Sequence, residues 1–204
     1  MVGKSNIKAV IWDMGGVILK TVDPNPRIQL AKRFAMDRIE LEDVVFSSES
    51  SKKAELGLIT EEEHLYYIRT QLNIHDEMEN FLFEFWAGDR IDEVLVEFIH
   101  SIRSRYKTGL LSNAWSNTRH NINKHFDILD AFDISLFSAE VEMAKPDPEI
   151  YKFILNKLEV LPHEAIFIDD FQENVVGAEM VGIKAIHFDN TESVIRQINT
   201  ICDL

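Results

Sequence analysis

The sequence predicts an α/β protein, a Rossmann-like parallel sheet flanked by helices and interrupted by an all-helical insertion. Three features carry that expectation. Residues 7–17, IKAVIWDMGGV, form a short apolar, β-branched run that stops at Asp13 and two glycines, the pattern of a buried strand in a parallel sheet. From residue 88 onward, runs of this kind alternate with segments of helical period, the grammar of βαβ units. Between them, residues 26–86 have helical periodicity and no convincing strand.

Taken in order, the first strand leads through Ile18 and Leu19 to a break at Asp23-Pro24-Asn25-Pro26, which cannot lie within a regular element. A helix is expected next, with Ile28, Ala31, Phe34 and Ala35 on one face. Thr60 reads as an N-cap with Glu63 at the capping-box position, opening the amphipathic segment HLYYIRTQL. Beyond residue 88, helices are expected over 92–106, 116–125, 148–158, 174–181 and 193–201, and strands over 108–111, 132–138, 165–168 and 184–188. Pro148 suits a first helical turn and Gly182 a helix stop. The expected division is a core of residues 1–19 and 88–204, and a helical insertion of residues 20–87.

Composition narrows the function. Of 204 residues, 46% are hydrophobic, enough for a packed core, and the net charge is −14. Such an acidic chain is unsuited to nucleic acid or an anionic membrane surface. The single cysteine, Cys202, excludes an intrachain disulfide. No signal-peptide pattern precedes the first strand and no apolar run reaches membrane-spanning length. A cytoplasmic location is expected, with no membrane or nucleic-acid partner.

The strand ends carry the reactive side chains. Asp13 lies where open α/β sheets bind their ligands, although an N-capping Asp before a Gly-Gly turn would look the same. Ser112 and Asn113 follow the strand GLL and also suit a helix N-cap. Lys145 stands in a loop stiffened by Pro146 and Pro148, where an isolated lysine is ordinarily a solvated charge. Asp169 and Asp170 are the least ordinary pair, because adjacent carboxylates after an apolar strand repel unless something positive lies beside them. A hard cation held by oxygen ligands relieves that repulsion. Asn174 either orients a neighbouring carboxylate or starts the next helix.

In this order, IWDMGGV, GLLSN, AKPDPEIY and FIDDFQENVVGA resemble the four motifs of the haloacid dehalogenase-like hydrolase superfamily along the whole chain. The resemblance implies Asp13 as the nucleophile, Ser112 and Asn113 at the transferring group, and Lys145 neutralising charge. It also implies Asp13, the Gly15 carbonyl and Asp170 as ligands of Mg²⁺, with Asp169 in support, and a small helical cap where the helical block falls. One position departs from the pattern. Phosphatases of this family commonly carry a second Asp two residues after the nucleophile as general acid and base, and here that position is Gly15. Gly15 is taken to adopt a positive φ, and a cap residue such as His64, or a group of the substrate, is the candidate replacement acid. Tyr66, Tyr67, Trp86 and Trp115 are further candidates to face the pocket, although core packing suits most of them.

The acidic pair favours a Mg²⁺-dependent phosphohydrolase acting on a small phosphorylated metabolite, with sugar phosphates among the candidates, through an aspartyl-phosphate. The alternatives are a 2-haloacid dehalogenase using the same Asp13, and a non-catalytic phosphate- or partner-binding domain. Removal of either carboxylate of the pair is expected to relieve repulsion.

Overall fold

A computed structural model describes residues 6–202. Residues 1–5 and 203–204, the outer ends of the expected core, lie outside the described residues.

β1 (Ala9–Trp12) leads to Asp13 and a tight turn, then to a short β2 (Leu19–Thr21). Five helices follow: α1 (Asn25–Arg33), α2 (Arg38–Glu42), α3 (Glu49–Glu55), α4 (Glu61–Gln71) and α5 (Met78–Trp86), with a π-helical turn over Asp43–Ser47. β3 (Asp89–Ile91) returns the chain beside β2. The remainder alternates: α6 (Glu93–Ile102), β4 (Lys107–Ser112), α7 (Thr118–His125), β5 (Ile134–Phe137), α8 (Pro148–Leu158), β6 (Ala165–Asp169), α9 (Gln172–Met180), β7 (Lys184–His187) and α10 (Thr191–Cys202).

The main sheet has the order β5-β4-β1-β6-β7, and every neighbouring pair is parallel. β1 occupies the centre because all four of its residues are apolar and fully buried. One face packs on α6 and α10 through Val10, Trp12, Leu95, Ile99 and Ile198. The other packs on α8 and α9 through Ile11, Phe167, Tyr151, Ile154 and Ala178. Helices thus cover both faces, as parallel sheets require.

The helices between residues 25 and 86 gather a separate apolar cluster that includes Leu30, Leu41, Ile68 and Phe85, and Trp115 reaches into it from the loop after β4. The Thr60 cap is formed with both of its reciprocal bonds, Thr60 Oγ1 accepting from Glu63 N–H and Glu63 accepting from Thr60 N–H.

Several expectations are corrected. The break expected between residues 19 and 20 falls inside β2, which pairs antiparallel with β3 from Leu19↔Ile91 to Thr21↔Asp89. Three-residue strands of sequence LKT and DRI carry no usable periodicity, so neither was expected. The face of α1 is also different. The helix ends at Arg33, Ala35 lies beyond it at φ 54°, and the buried positions are Arg27, Leu30 and Ala31. Arg27 can be buried because Asp89 and Glu42 accept from its guanidinium at 2.6 and 2.9 Å. In α4, His64 is buried as a core helix position should be, whereas Tyr66 is 72% exposed.

Candidate active site

β1 and β6 are adjacent, in register and parallel, so they deliver Asp13, Asp169 and Asp170 to the same edge of the sheet. Oxygens of the three carboxylates lie within 4.8 Å of one another. Lys145 enters from the loop before α8 and is the cation among them. Its Nζ donates to Asp13 Oδ1 at 2.5 Å and to Asp169 Oδ2 at 2.7 Å, with Lys145 and Asp13 only 5% and 6% exposed.

Asp169 is saturated with donors. Besides Lys145, it accepts from Phe171 N–H at 2.8 Å and from Asn174 Nδ2 at 3.0 and 3.1 Å. Asn174 therefore orients a carboxylate from the first turn of α9. Asp170 is not saturated, and its buried Oδ1 has no hydrogen-bond partner.

One lysine bonds two of the three clustered carboxylates, and the titration behaviour follows. Burial pushes Asp13 up to about 7, with Lys145 working against that shift and Asp169 adding to it. Burial and the neighbouring Asp169 push Asp170 up to about 6. Burial opposes the charge of Lys145, but Asp13 and Asp169 outweigh it and hold the ammonium protonated beyond its usual range. The cluster carries excess negative charge in a buried place, which is the condition under which a hard cation binds. The unpartnered Asp170 oxygen and the all-oxygen donor set fit such an ion.

The turn after Asp13 is made by the second glycine. Gly16, not Gly15, has the positive φ, at 77°, and a Cβ there would overlap the Asp170 carboxylate. Gly15 has no heavy atom within 4 Å of where its Cβ would stand. Gly16 thus lets the first loop pass against the acidic pair, and Gly15 borders open space.

Ser112 ends β4 and is 2% exposed, with its Oγ donating a long 3.4 Å bond to the Asn113 carbonyl. Asn113 is a clamp on the lysine loop. Its Nδ2 donates to the Lys145 carbonyl at 2.9 Å and its Oδ1 accepts from Lys145 N–H at 2.8 Å. The site residues read from the sequence thus fall into an acidic trio on Lys145, with Asn113 holding the lysine's backbone and Ser112 beside it.

Residues 7–182 match the family described as haloacid dehalogenase-like hydrolase. The chain belongs to that family. A bifunctional epoxide hydrolase 2 of Rattus norvegicus is 36% identical over 120 residues, covering 56% of this chain. This chain spans only 22% of that longer protein. A phosphorylated carbohydrates phosphatase of Thermotoga maritima is 28% identical over 192 residues, covering 89% of this chain and 84% of the relative. A family enzyme of Bacteroides thetaiotaomicron, solved in complex with magnesium and inorganic phosphate, superposes with a TM-score of 0.76 at 26% identity, covering 90% of this chain and 94% of that one.

In this haloacid dehalogenase-like hydrolase, His64 is excluded as the replacement acid. It is 0% exposed, and its ring nitrogens are engaged by Ser50 Oγ at 2.9 Å and the Val45 carbonyl at 3.0 Å. Trp115 lies edge-on to it and donates through Nε1 to Ser51 Oγ at 3.2 Å, so both rings belong to the packing under α3 and α4. The sequence shows both glycines of the turn but not that Gly16 carries the positive φ, nor the clamp made by Asn113. Among the described residues, no helix is long and apolar enough to cross a membrane.

Proposed function

We propose that this protein is a Mg²⁺-dependent phosphohydrolase that cleaves a small phosphorylated metabolite, a sugar phosphate being the leading class, through an aspartyl-phosphate on Asp13. The observation that carries the reading is the charge imbalance at the strand ends, three clustered carboxylates of which two bond the single Lys145. A dehalogenase has no use for that imbalance, whereas phosphoryl transfer depends on positioning and charge neutralisation. The phosphatase among the relatives and the magnesium and phosphate held by the neighbour support the same reading.

Asp13, the Gly15 carbonyl and Asp170 would hold the ion, with Asp169 in support. Bound there, Mg²⁺ supplies charge neutralisation between the nucleophile and the phosphoryl group. Asp13 attacks phosphorus, the P–O bond to the leaving group breaks, and water later hydrolyses the acyl phosphate. Lys145 steadies both the nucleophile and the equatorial oxygens, and Ser112 offers its hydroxyl to the same oxygens. Asn113 keeps the lysine loop in place. Residues 20–87 act as the cap that meets the leaving group.

The test is phosphate release from a panel of metabolite phosphates with Mg²⁺ and with EDTA. Metal-dependent release is expected. Chloride release from a 2-haloacid in EDTA, without phosphate release from any ester, would replace this reading with the dehalogenase. Binding of phosphate without turnover would replace it with a sensing domain.

A further inference from the structure

The first loop has no acid at Gly15, and His64 is sealed inside the cap. One other carboxyl feels the charge of the site lysine. Glu55 is the last residue of α3, and three features place it. First, Ser51 stands one helical turn earlier on the same face, and Ser51 accepts from Trp115 Nε1, a residue of the loop that follows Ser112 and Asn113. Second, Gly57, just beyond the helix end at φ 67°, lies so close to the Ala139 carbonyl that a Cβ would collide with it. The end of α3 therefore rests between the loop after β4 and the segment leading to Lys145. Third, Glu55 is half-buried and, among the described residues, engages no hydrogen-bond or ion-pair partner. Burial nonetheless raises its carboxyl to about 7, with Lys145 and then Lys52 pulling the other way, so the charge of the site lysine is felt at this side chain.

We propose that Glu55 is the general acid and base of the reaction, a catalytic residue supplied by the cap in place of the carboxylate missing at Gly15. The role rests on the phosphatase reading above. In the first step an Asp13 oxygen bonds to phosphorus, the bond from phosphorus to the leaving oxygen breaks, and protonated Glu55 gives its proton to that oxygen. In the second, Glu55 carboxylate takes a proton from water as the water oxygen bonds to phosphorus. The P–O bond to Asp13 then breaks, releasing phosphate and restoring both side chains. The sum is ester plus water giving alcohol plus phosphate.

Glu55→Gln separates the two steps. With a primary alkyl phosphate, which needs its leaving oxygen protonated, turnover is expected to fall by about 10²- to 10³-fold, within the usual range for acid–base help. With p-nitrophenyl phosphate, whose leaving group needs no acid, the variant is expected to show a burst of p-nitrophenol equal to the enzyme concentration, followed by slow turnover. Gly15→Asp in the Glu55→Gln background is expected to recover alkyl-ester turnover, using the open space beside Gly15. Equal losses on both esters without a burst, or unchanged rates on both, would overturn the role while leaving the phosphatase reading intact. A wild type that releases phosphate from neither ester at any Mg²⁺ concentration would overturn both.

Discussion

Arg27 beneath the helical layer and Lys145 at the sheet edge are both buried cations gripped by carboxylates, yet their surroundings differ in charge balance. Arg27 donates to Glu42, Asp89 and the Phe85 carbonyl and lies over the Phe85 ring at 4.3 Å. Arg38 donates to the same Glu42, so two guanidiniums face two carboxylates. Lys145 bonds two of three clustered carboxylates, and among the described residues no second Lys or Arg pairs with them. Each cluster leaves one buried carboxylate oxygen unpartnered, Asp89 Oδ1 in one and Asp170 Oδ1 in the other. An orphaned oxygen alone therefore does not mark a site here. The balance of charge separates the two, because the first cluster is neutral as it stands and the second carries an excess of carboxylates that could hold a metal ion.

That contrast can be broken most forcefully at Asp13. Asp13→Asn should reduce turnover by about 10⁴-fold or more, as loss of a nucleophile does, with circular dichroism and melting unchanged. Asp89→Asn, aimed at the other cluster, should leave kcat near wild type and lower stability instead. Substantial activity in Asp13→Asn would end the covalent mechanism.

The next effect is on stability. Arg27→Leu leaves the buried Asp89 without its cation, while Glu42 keeps Arg38, and should cost about 3–5 kcal/mol in urea unfolding. Asp169→Ala should cost a similar amount, about 3–5 kcal/mol, by stripping Lys145 and Asn174 of their acceptor. Asp170→Ala should be neutral or stabilising without metal, since it removes a carboxyl that burial already disfavours, and should abolish Mg²⁺ affinity. Relief of repulsion is thus predicted for the loss of Asp170 and not for the loss of Asp169. Equal melting curves for the two variants would show that the division of labour drawn here is wrong.

Gly16→Ala should weaken Mg²⁺ binding several-fold by displacing the Asp170 carboxylate and straining a positive φ, while Gly15→Ala should leave it within about twofold. Isothermal titration of both variants measures the difference. The smallest effect concerns pH. Glu55 titrates at about 7 in the fold against an ordinary 4.5, so folding favours its protonated form. The penalty is absent below the lower value and grows as pH rises until it is complete above the upper one. Glu55→Gln should therefore match wild type near pH 4 and become progressively more stable than it up to about pH 8. A constant difference across that range would remove the shift.

The parallel sheet was legible because each core strand is a dense apolar run closed by polar residues, and β1 and β6 carry their acids just past the last apolar position. Asp13, Lys145, Asp169 and Asp170 stood out as reactive types at such ends. What escaped depends on long-range packing. Nothing local says that Asn113 bridges the main chain on both sides of the Lys145 peptide, or that Gly16 rather than its neighbour bends. Glu55 is one acid in the charged helix ESSKKAE, and only the seating of α3 on Trp115 and Ala139 sets it apart. His64 misled because a histidine on a cap helix resembles a reagent until Ser50 and Val45 are found holding it.

The ribbon of β2 and β3 has an evolutionary consequence. Val22 and Asp23 both donate to the Gly88 carbonyl, at 3.0 and 3.1 Å, so the chain departs and returns at neighbouring points. To the sheet, all five intervening helices are one long hairpin loop. The entropy of closing a loop rises only slowly with its length, and here the ends are already joined by the ladder from Leu19↔Ile91 to Thr21↔Asp89. The helices nevertheless also touch the loops beside the site, through Trp115 on Ser51 and Gly57 against Ala139. Length is thereby tolerated in the helical layer, while change is resisted where it rests on the loops beside Asp13 and Lys145.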